Sequence, residues 1–230
     1  MSTISQYLKK RNQNFELSYL GIRKAVGWLG IILPVVLVIG TWLFSDCDHI
    51  KDSISDYFYT IMGSVLVGIL CAVSLFLFSY NGFDNWDKVT SNVAAVFALG
   101  VAFFPMNVDK DCVHCTYCNI LARDVSPWRD VVHFGSASIF FFTLACMSLF
   151  LFTKTDKGNH PGRKKKQRNV VYRTCGIVII AAMAMKGCLL FSTFARIFEF
   201  PHDTLVYETI MLWAFGFSWL TKGEFLLKDN

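Results

Sequence analysis

Charge is scarce in this 230-residue chain: Asp, Glu, Lys and Arg make up 17% of it, against about 25% in ordinary soluble domains. The charges come in blocks, and the stretches between them carry almost none. With 22 Phe, 6 Trp and 54% hydrophobic residues, the composition excludes a disordered chain, which is poor in large apolar side chains. It excludes a small disulfide scaffold and a soluble nucleic-acid binder as well. Strand-like alternation is missing, which disfavours a β-barrel. No tandem repeat with a period of about 20–50 residues is visible, which disfavours a solenoid.

What remains is a series of apolar runs. About 20 apolar residues in helical form cross the hydrocarbon core of a bilayer. Six segments meet or approach that length: Ala25 to Phe44, Tyr57 to Tyr80, Val89 to Met106, Val131 to Thr153, Thr174 to Ala195, and the shorter Leu205 to Thr221. The expected fold is all-α, an integral membrane bundle of six transmembrane helices. Basic residues orient it. The N-terminus, the second and fourth loops and the C-terminus together hold 16 Lys and Arg, and the opposite side holds 5. Both termini are therefore expected in the cytoplasm.

This divides the chain into a cytoplasmic segment 1–24, a six-helix domain 25–222 and a cytoplasmic tail 223–230. The residues before the first apolar run are long for a signal-peptide n-region, and no small-x-small site follows that run. The first helix reads as a retained anchor, in a plasma or bacterial inner membrane. The run Arg163-Lys164-Lys165-Lys166-Gln167-Arg168 has a nucleic-acid-like composition. On a cytoplasmic loop it reads instead as a topology determinant that also attracts anionic headgroups. Small-xxx-small spacings such as Ser64 to Gly68 are too common in membrane helices to predict a dimer.

The topology sorts the eight cysteines. Cys71, Cys146, Cys175 and Cys188 fall in helices, where Cys behaves as a small apolar residue. Cys47, Cys112, Cys115 and Cys118 all fall on the outer side. An even set there points to two disulfides, with Cys47 tied to the third-loop cluster. The rival readings are a zinc site completed by His114 and free thiols. No metal and no other cofactor is expected.

Ionisable groups inside a membrane segment mark function by default. Antiparallel threading brings Asp56, His133, Lys186 and Glu208 to similar outer depth from four helices, and Lys186 is within reach of Glu208. Asp56 also reads as a helix cap within Ser53-Ile54-Ser55-Asp56, and the four as a packing cluster. The fifth loop adds Arg196, Glu199, His202 and Asp203 over the same mouth. As a ligand site, this cluster uses Lys186, Glu208 and His202. As a catalytic one, His133 is the base, Asp56 orients it, and Ser55 or a water attacks.

Several of these residues carry a family resemblance. Ile54-Ser55-Asp56, Asn92 leading the third run, His133-x-x-x-Ala137 and Glu208 resemble the six-helix Frag/DRAM/Sfk proteins. Uncharacterised bacterial membrane proteins share a Ser-Asp-Tyr turn and a Phe-Pro end to the third helix, here Phe104-Pro105. The likeness runs from about Ile31 to Lys222. It departs at Tyr57-Phe58-Tyr59, where the DRAM branch often has Thr-Gly, and at Ser136, where the family often has Gly. It implies a role in lipid remodelling more than a particular reaction. A weaker likeness to alkaline ceramidase-type hydrolases lacks their paired His on one helix, which counts against their metal site.

Two functions follow from this sequence: a lipid-binding or lipid-remodelling accessory protein, and a membrane-embedded lipid hydrolase using Ser55, Asp56 and His133. A small-solute transporter ranks third, since no inverted repeat or pair of broken helices is visible. Membrane lipid is the expected partner, and nucleic acid is not. A Cys47 bridge to the third loop would close a loop of about 65 residues and stabilise the protein by roughly 4 kcal/mol. Non-reducing peptide mapping should recover a Cys47-linked peptide; four free thiols, or one zinc per chain, would overturn the pairing.

Overall fold

A computed structural model of the chain describes residues 2–45, 49–107, 126–155, 162–191 and 200–227. Among them are six α-helices and no strand: α1 (Ser2–Phe44), α2 (Gly63–Phe78), α3 (Asn85–Phe103), α4 (Pro127–Cys146), α5 (Arg163–Phe191) and α6 (Asp203–Lys222). A 3-10 helix, Ser55–Tyr59, precedes α2, and a π turn, Met147–Leu151, prolongs α4. Each helix packs on its neighbours in sequence and α6 returns to α1, so the bundle closes into a ring.

Three stretches are long and apolar enough to cross a membrane: Tyr19–Phe44, Pro127–Leu151 and Arg163–Leu189. That is fewer than the six expected. The other helices fall short for identifiable reasons. α2 is apolar throughout but has only 16 residues. α3 opens on Asn85-Trp86-Asp87-Lys88, and α6 carries Asp203, Glu208 and Lys222. Every helix nonetheless turns a large apolar side chain outward, among them Trp42, Leu75, Val96, Phe142, Ile177 and Phe217. An outward apolar surface with polar groups held inside is the pattern of a membrane protein.

Several helix ends differ from the sequence reading. α2 begins at Gly63, not Tyr57, because Thr60 is extended and breaks the chain between the 3-10 turn and the helix. α3 begins four residues early, where the Asp84 carboxylate accepts the Asp87 N–H and caps it. The basic run from Arg163, assigned to a loop, forms the first turns of α5. Lys and Arg are good helix formers, and Lys165 Nζ is fixed 2.8 Å from the Phe152 carbonyl.

The ring closes where α1 and α6 approach through glycine. A Cβ on Gly27 would lie 2.9 Å from the Gly216 carbonyl, and one on Gly216 would lie 2.7 Å from the Gly27 carbonyl. Small residues let membrane helices pack this closely. Toward one end, Trp219 stacks edge-on against Tyr80 and Phe152, with centroids 5.1 and 5.3 Å away. Gly216→Val should therefore lower stability by about 2 kcal/mol or more, by overpacking a backbone contact. Gly68→Ala, where a Cβ meets nothing within 4 Å, should be neutral or stabilise by up to about 1 kcal/mol. Thermal unfolding in detergent measures both, and equal effects would remove the α1–α6 contact as the reason.

Candidate functional site

The turn after α1 is built by its own side chains. Ser53 Oγ accepts the Asp56 N–H at 3.1 Å, and Asp56 Oδ2 accepts the Ser53 N–H at 2.9 Å. This reciprocal pair caps the 3-10 helix. α6 holds the same turn from the side: Glu208 Oε2 accepts the Ile54 N–H at 2.7 Å, and the Leu205 N–H donates to the Asp52 carbonyl at 2.8 Å. Between these anchors Ser55 is buried, and its Oγ lies 2.8 Å from His133 Nε2.

His133, only 2% exposed, reaches in from α4. Its Nδ1 lies 2.8 Å from the Phe104 carbonyl. A carbonyl only accepts, so Nδ1 carries the proton and the Nε2 lone pair faces the Ser55 hydroxyl. The carbonyl is free because Pro105 disfavours the helical conformation at Phe104, so α3 ends there and no later N–H in the helix takes that carbonyl up. One turn before His133, Arg129 Nη2 donates to the Pro105 carbonyl at 3.3 Å and to Tyr59 Oη at 3.1 Å. Tyr59 in turn donates to the Met106 carbonyl at 2.5 Å. The Asp130 carboxylate accepts the Asn107 backbone and side-chain N–H groups, each at 2.7 Å. The end of α3 is thus clamped to the start of α4, and the clamp aims the imidazole.

Ser55 and Glu208 line one cavity of about 30 Å³ with Leu66, Leu70, Phe140 and Phe141. This is room for a water or two, with apolar walls and two polar groups at one end. A neutral imidazole accepting from a serine hydroxyl is a nucleophile–base arrangement.

The four-residue cluster expected from the sequence divides in two. Asp56 does not orient His133, because its carboxylate is held by the Ser53 N–H; burial raises its pKa, against the pull of the Ser53 hydrogen bonds. Lys186 does not pair with Glu208. Its Nζ lies 2.8 Å from Asp203 Oδ1, and His202 Nδ1 lies 2.8 Å from Asp52 Oδ1. Lys186, His202, Asp203 and Asp52 border a shallow, open mouth. His202 takes its place there in the left-handed conformation, φ 58°.

Cys47, Cys112, Cys115, Cys118, Arg196 and Glu199 lie outside the described residues. The helix cysteines Cys71, Cys146, Cys175 and Cys188 are free thiols. No three His, Cys, Asp or Glu among the described residues gather to hold a metal ion. Tyr59, Asn107, Arg129 and Asp130 were not among the site residues expected from the sequence. The signal available was the run Phe104-Pro105, since a helix stopped by proline leaves carbonyls that need donors. Compared with protein-family models, curated proteins and solved structures, the chain matches none.

Burial tends to raise the Asp203 pKa, but the Lys186 hydrogen bond and charge outweigh it and hold the carboxyl below its ordinary value. A depressed folded-state pKa stabilises above the unfolded value of about 3.9, and that contribution is lost as pH falls through the folded value. Acidification below about pH 4 should therefore weaken the α5–α6 mouth. Lys186→Met should reduce this acid sensitivity in a melting-temperature series from pH 7 to pH 3. An unchanged slope would show that the pair does not hold the mouth.

Proposed function

We propose that this protein is a six-span membrane protein with both termini in the cytoplasm, and that it remodels lipids by cleaving an acyl ester at Ser55. The observation that carries this reading is the 2.8 Å contact between Ser55 Oγ and His133 Nε2, with Nδ1 fixed on the Phe104 carbonyl. In the first step Ser55 Oγ bonds to the ester carbonyl carbon while its proton moves to Nε2. The ester C–O bond breaks, and the departing alcohol takes that proton. Water, giving its proton to Nε2, then attacks the acyl-serine, releasing the carboxylic acid and restoring the hydroxyl as Nε2 returns the proton. The Phe104 carbonyl holds the tautomer and accepts from the transient imidazolium. Glu208 acts as a positioning residue, because the Ile54 N–H it holds belongs to the residue before Ser55.

The resemblance to Frag/DRAM/Sfk proteins fits a lipid role, and so does the 16-to-5 division of basic residues fit the orientation. The apolar lining beside Ser55 and Glu208 favours a second reading, a lipid-binding accessory protein without turnover. One experiment separates them. Purified protein is treated with a serine-reactive fluorophosphonate, and its co-purified lipids are read by mass spectrometry. Turnover requires covalent label on Ser55 that falls at least about 100-fold in His133→Ala while the bundle still melts cooperatively. Retained lipid with no label supports the accessory role. If His133→Ala lowers only the melting temperature, with labelling and lipid content per folded molecule unchanged, the pair serves packing alone.

A further inference from the structure

At the end of the bundle opposite Ser55, basic side chains from three helices are set against aromatic rings. Lys154 pairs with Asp84 at 2.9 Å and with Asp87, and Arg168 pairs with Glu224 at 3.5 Å. Those contacts engage every carboxylate that is paired there among the described residues. Arg23 from α1, Lys165 from α5 and Lys222 from α6 then meet around a floor of aromatic rings. The Arg23 Cζ sits 4.1 Å over the Tyr19 ring and 5.7 Å from that of Tyr80. Lys222 Nζ lies 5.2 Å from the Phe83 ring and 5.5 Å from the Phe152 ring. Lys165 Nζ lies 2.8 Å from the Phe152 carbonyl and 5.5 Å from the Tyr172 ring. The Tyr80 and Phe152 rings are 6.3 Å apart, so these cations share one site.

Two of the groups are buried with their hydrogen-bonding capacity unmet. Lys222 is 9% exposed; its ammonium faces rings, and the Asp87 carboxylate that attracts it is itself paired with Lys154. The Arg23 Nε is buried without an acceptor there, and its Nη1 reaches only the Lys222 carbonyl, at 3.4 Å. Ring faces attract a cation only modestly, which does not offset removing several like charges from water. Burial first, then the charges of Arg23 and Lys165, push the Lys222 ammonium down to about 7. A bound anion with several acceptor oxygens would relieve both the repulsion and the empty donors, and Arg with Lys is the donor set that phosphate takes.

We infer that Arg23, Lys165 and Lys222 form a phosphate-binding site at the basic end of the bundle. It is distinct from the Ser55 site and does not rest on the function proposed for it. The phosphate comes either from a lipid headgroup of the adjoining leaflet or from a free phosphate in solution.

The test uses the full chain, delipidated in a neutral detergent, and follows the melting temperature with inorganic phosphate, with phosphatidic acid in mixed micelles, and with phosphatidylcholine as control. Binding at saturation should raise Tm by about 5 °C or more. A rise with inorganic phosphate assigns a soluble ligand, and a rise with phosphatidic acid alone assigns a headgroup. Lys222→Met should melt no lower than the native chain without anion, because it removes a repelled charge, and should lose the response. Lys88→Met, an exposed basic residue of the same end, should keep it. Should Lys222→Met fail to fold, Arg23→Gln carries the same comparison. No rise for the native chain with either phosphate, or an equal rise in the site variants, overturns the site.

Discussion

A polar group in a low-dielectric interior costs several kcal/mol unless it finds a partner, and His133 must meet that demand with both ring nitrogens. One nitrogen needs an acceptor, and Pro105 supplies it by ending α3 and releasing the Phe104 carbonyl. The carbonyls of Pro105 and Met106 need donors in their turn, and Arg129 and Tyr59 provide them. Asp130 then fixes Asn107 beyond. The other nitrogen takes the Ser55 hydroxyl, which requires the Ser53-to-Asp56 turn to present Ser55 inward. The Ser55 end of the bundle therefore carries one connected set of hydrogen bonds. Its parts are three backbone breaks: the turn after α1, the proline end of α3 and the start of α4.

The apolar runs were legible because hydrophobic length is a property of consecutive residues. Ser55, His133 and Glu208 stood out for the same reason, as polar groups in or beside such runs. What ran out was the direction of each side chain. Asp56 and Ser55 are adjacent, yet one closes the capping pair and the other enters the core. A difference of one residue along a 3-10 turn decides this, and depth arguments do not reach that scale. Lys186 was expected within reach of Glu208, but Asp203, two residues before the start of the sixth run, takes it instead. The breaks at Thr60 and the early starts of α3 and α5 depend on caps and backbone angles, which apolarity does not encode.

The two ends of the bundle treat charge differently. At the Ser55 end the carboxylates meet local donors: Lys186 pairs with Asp203, Asp52 lies near His202, Asp130 accepts from Asn107 and Glu208 from the Ile54 N–H. At the basic end Arg23 and Lys222 lie against aromatic rings. Asp87, fully buried, is matched by Lys154 and by the Phe83 N–H, so it is not available to either of them.

The partner of His133 Nδ1 also bears on what chemistry the outer site can support. A carboxylate there would stabilise the imidazolium more strongly than a carbonyl dipole does. It would also have to be desolvated together with the imidazole, and a buried charge pair recovers that cost only with excellent geometry. The Phe104 carbonyl avoids the charge and still selects the tautomer with Nε2 unprotonated. A neutral serine–imidazole pair is thus the form of nucleophile–base site that a membrane interior tolerates at least cost, in exchange for a weaker base. The carboxylate that does line the cavity, Glu208, acts through the backbone instead: it grips the Ile54 N–H from α6. Since α6 also closes the ring against α1 through Gly216 and Gly27, any shift of α6 along that contact would move the Ser55 turn, so the packing of the ring and the aim of the Ser55 hydroxyl depend on the same helix.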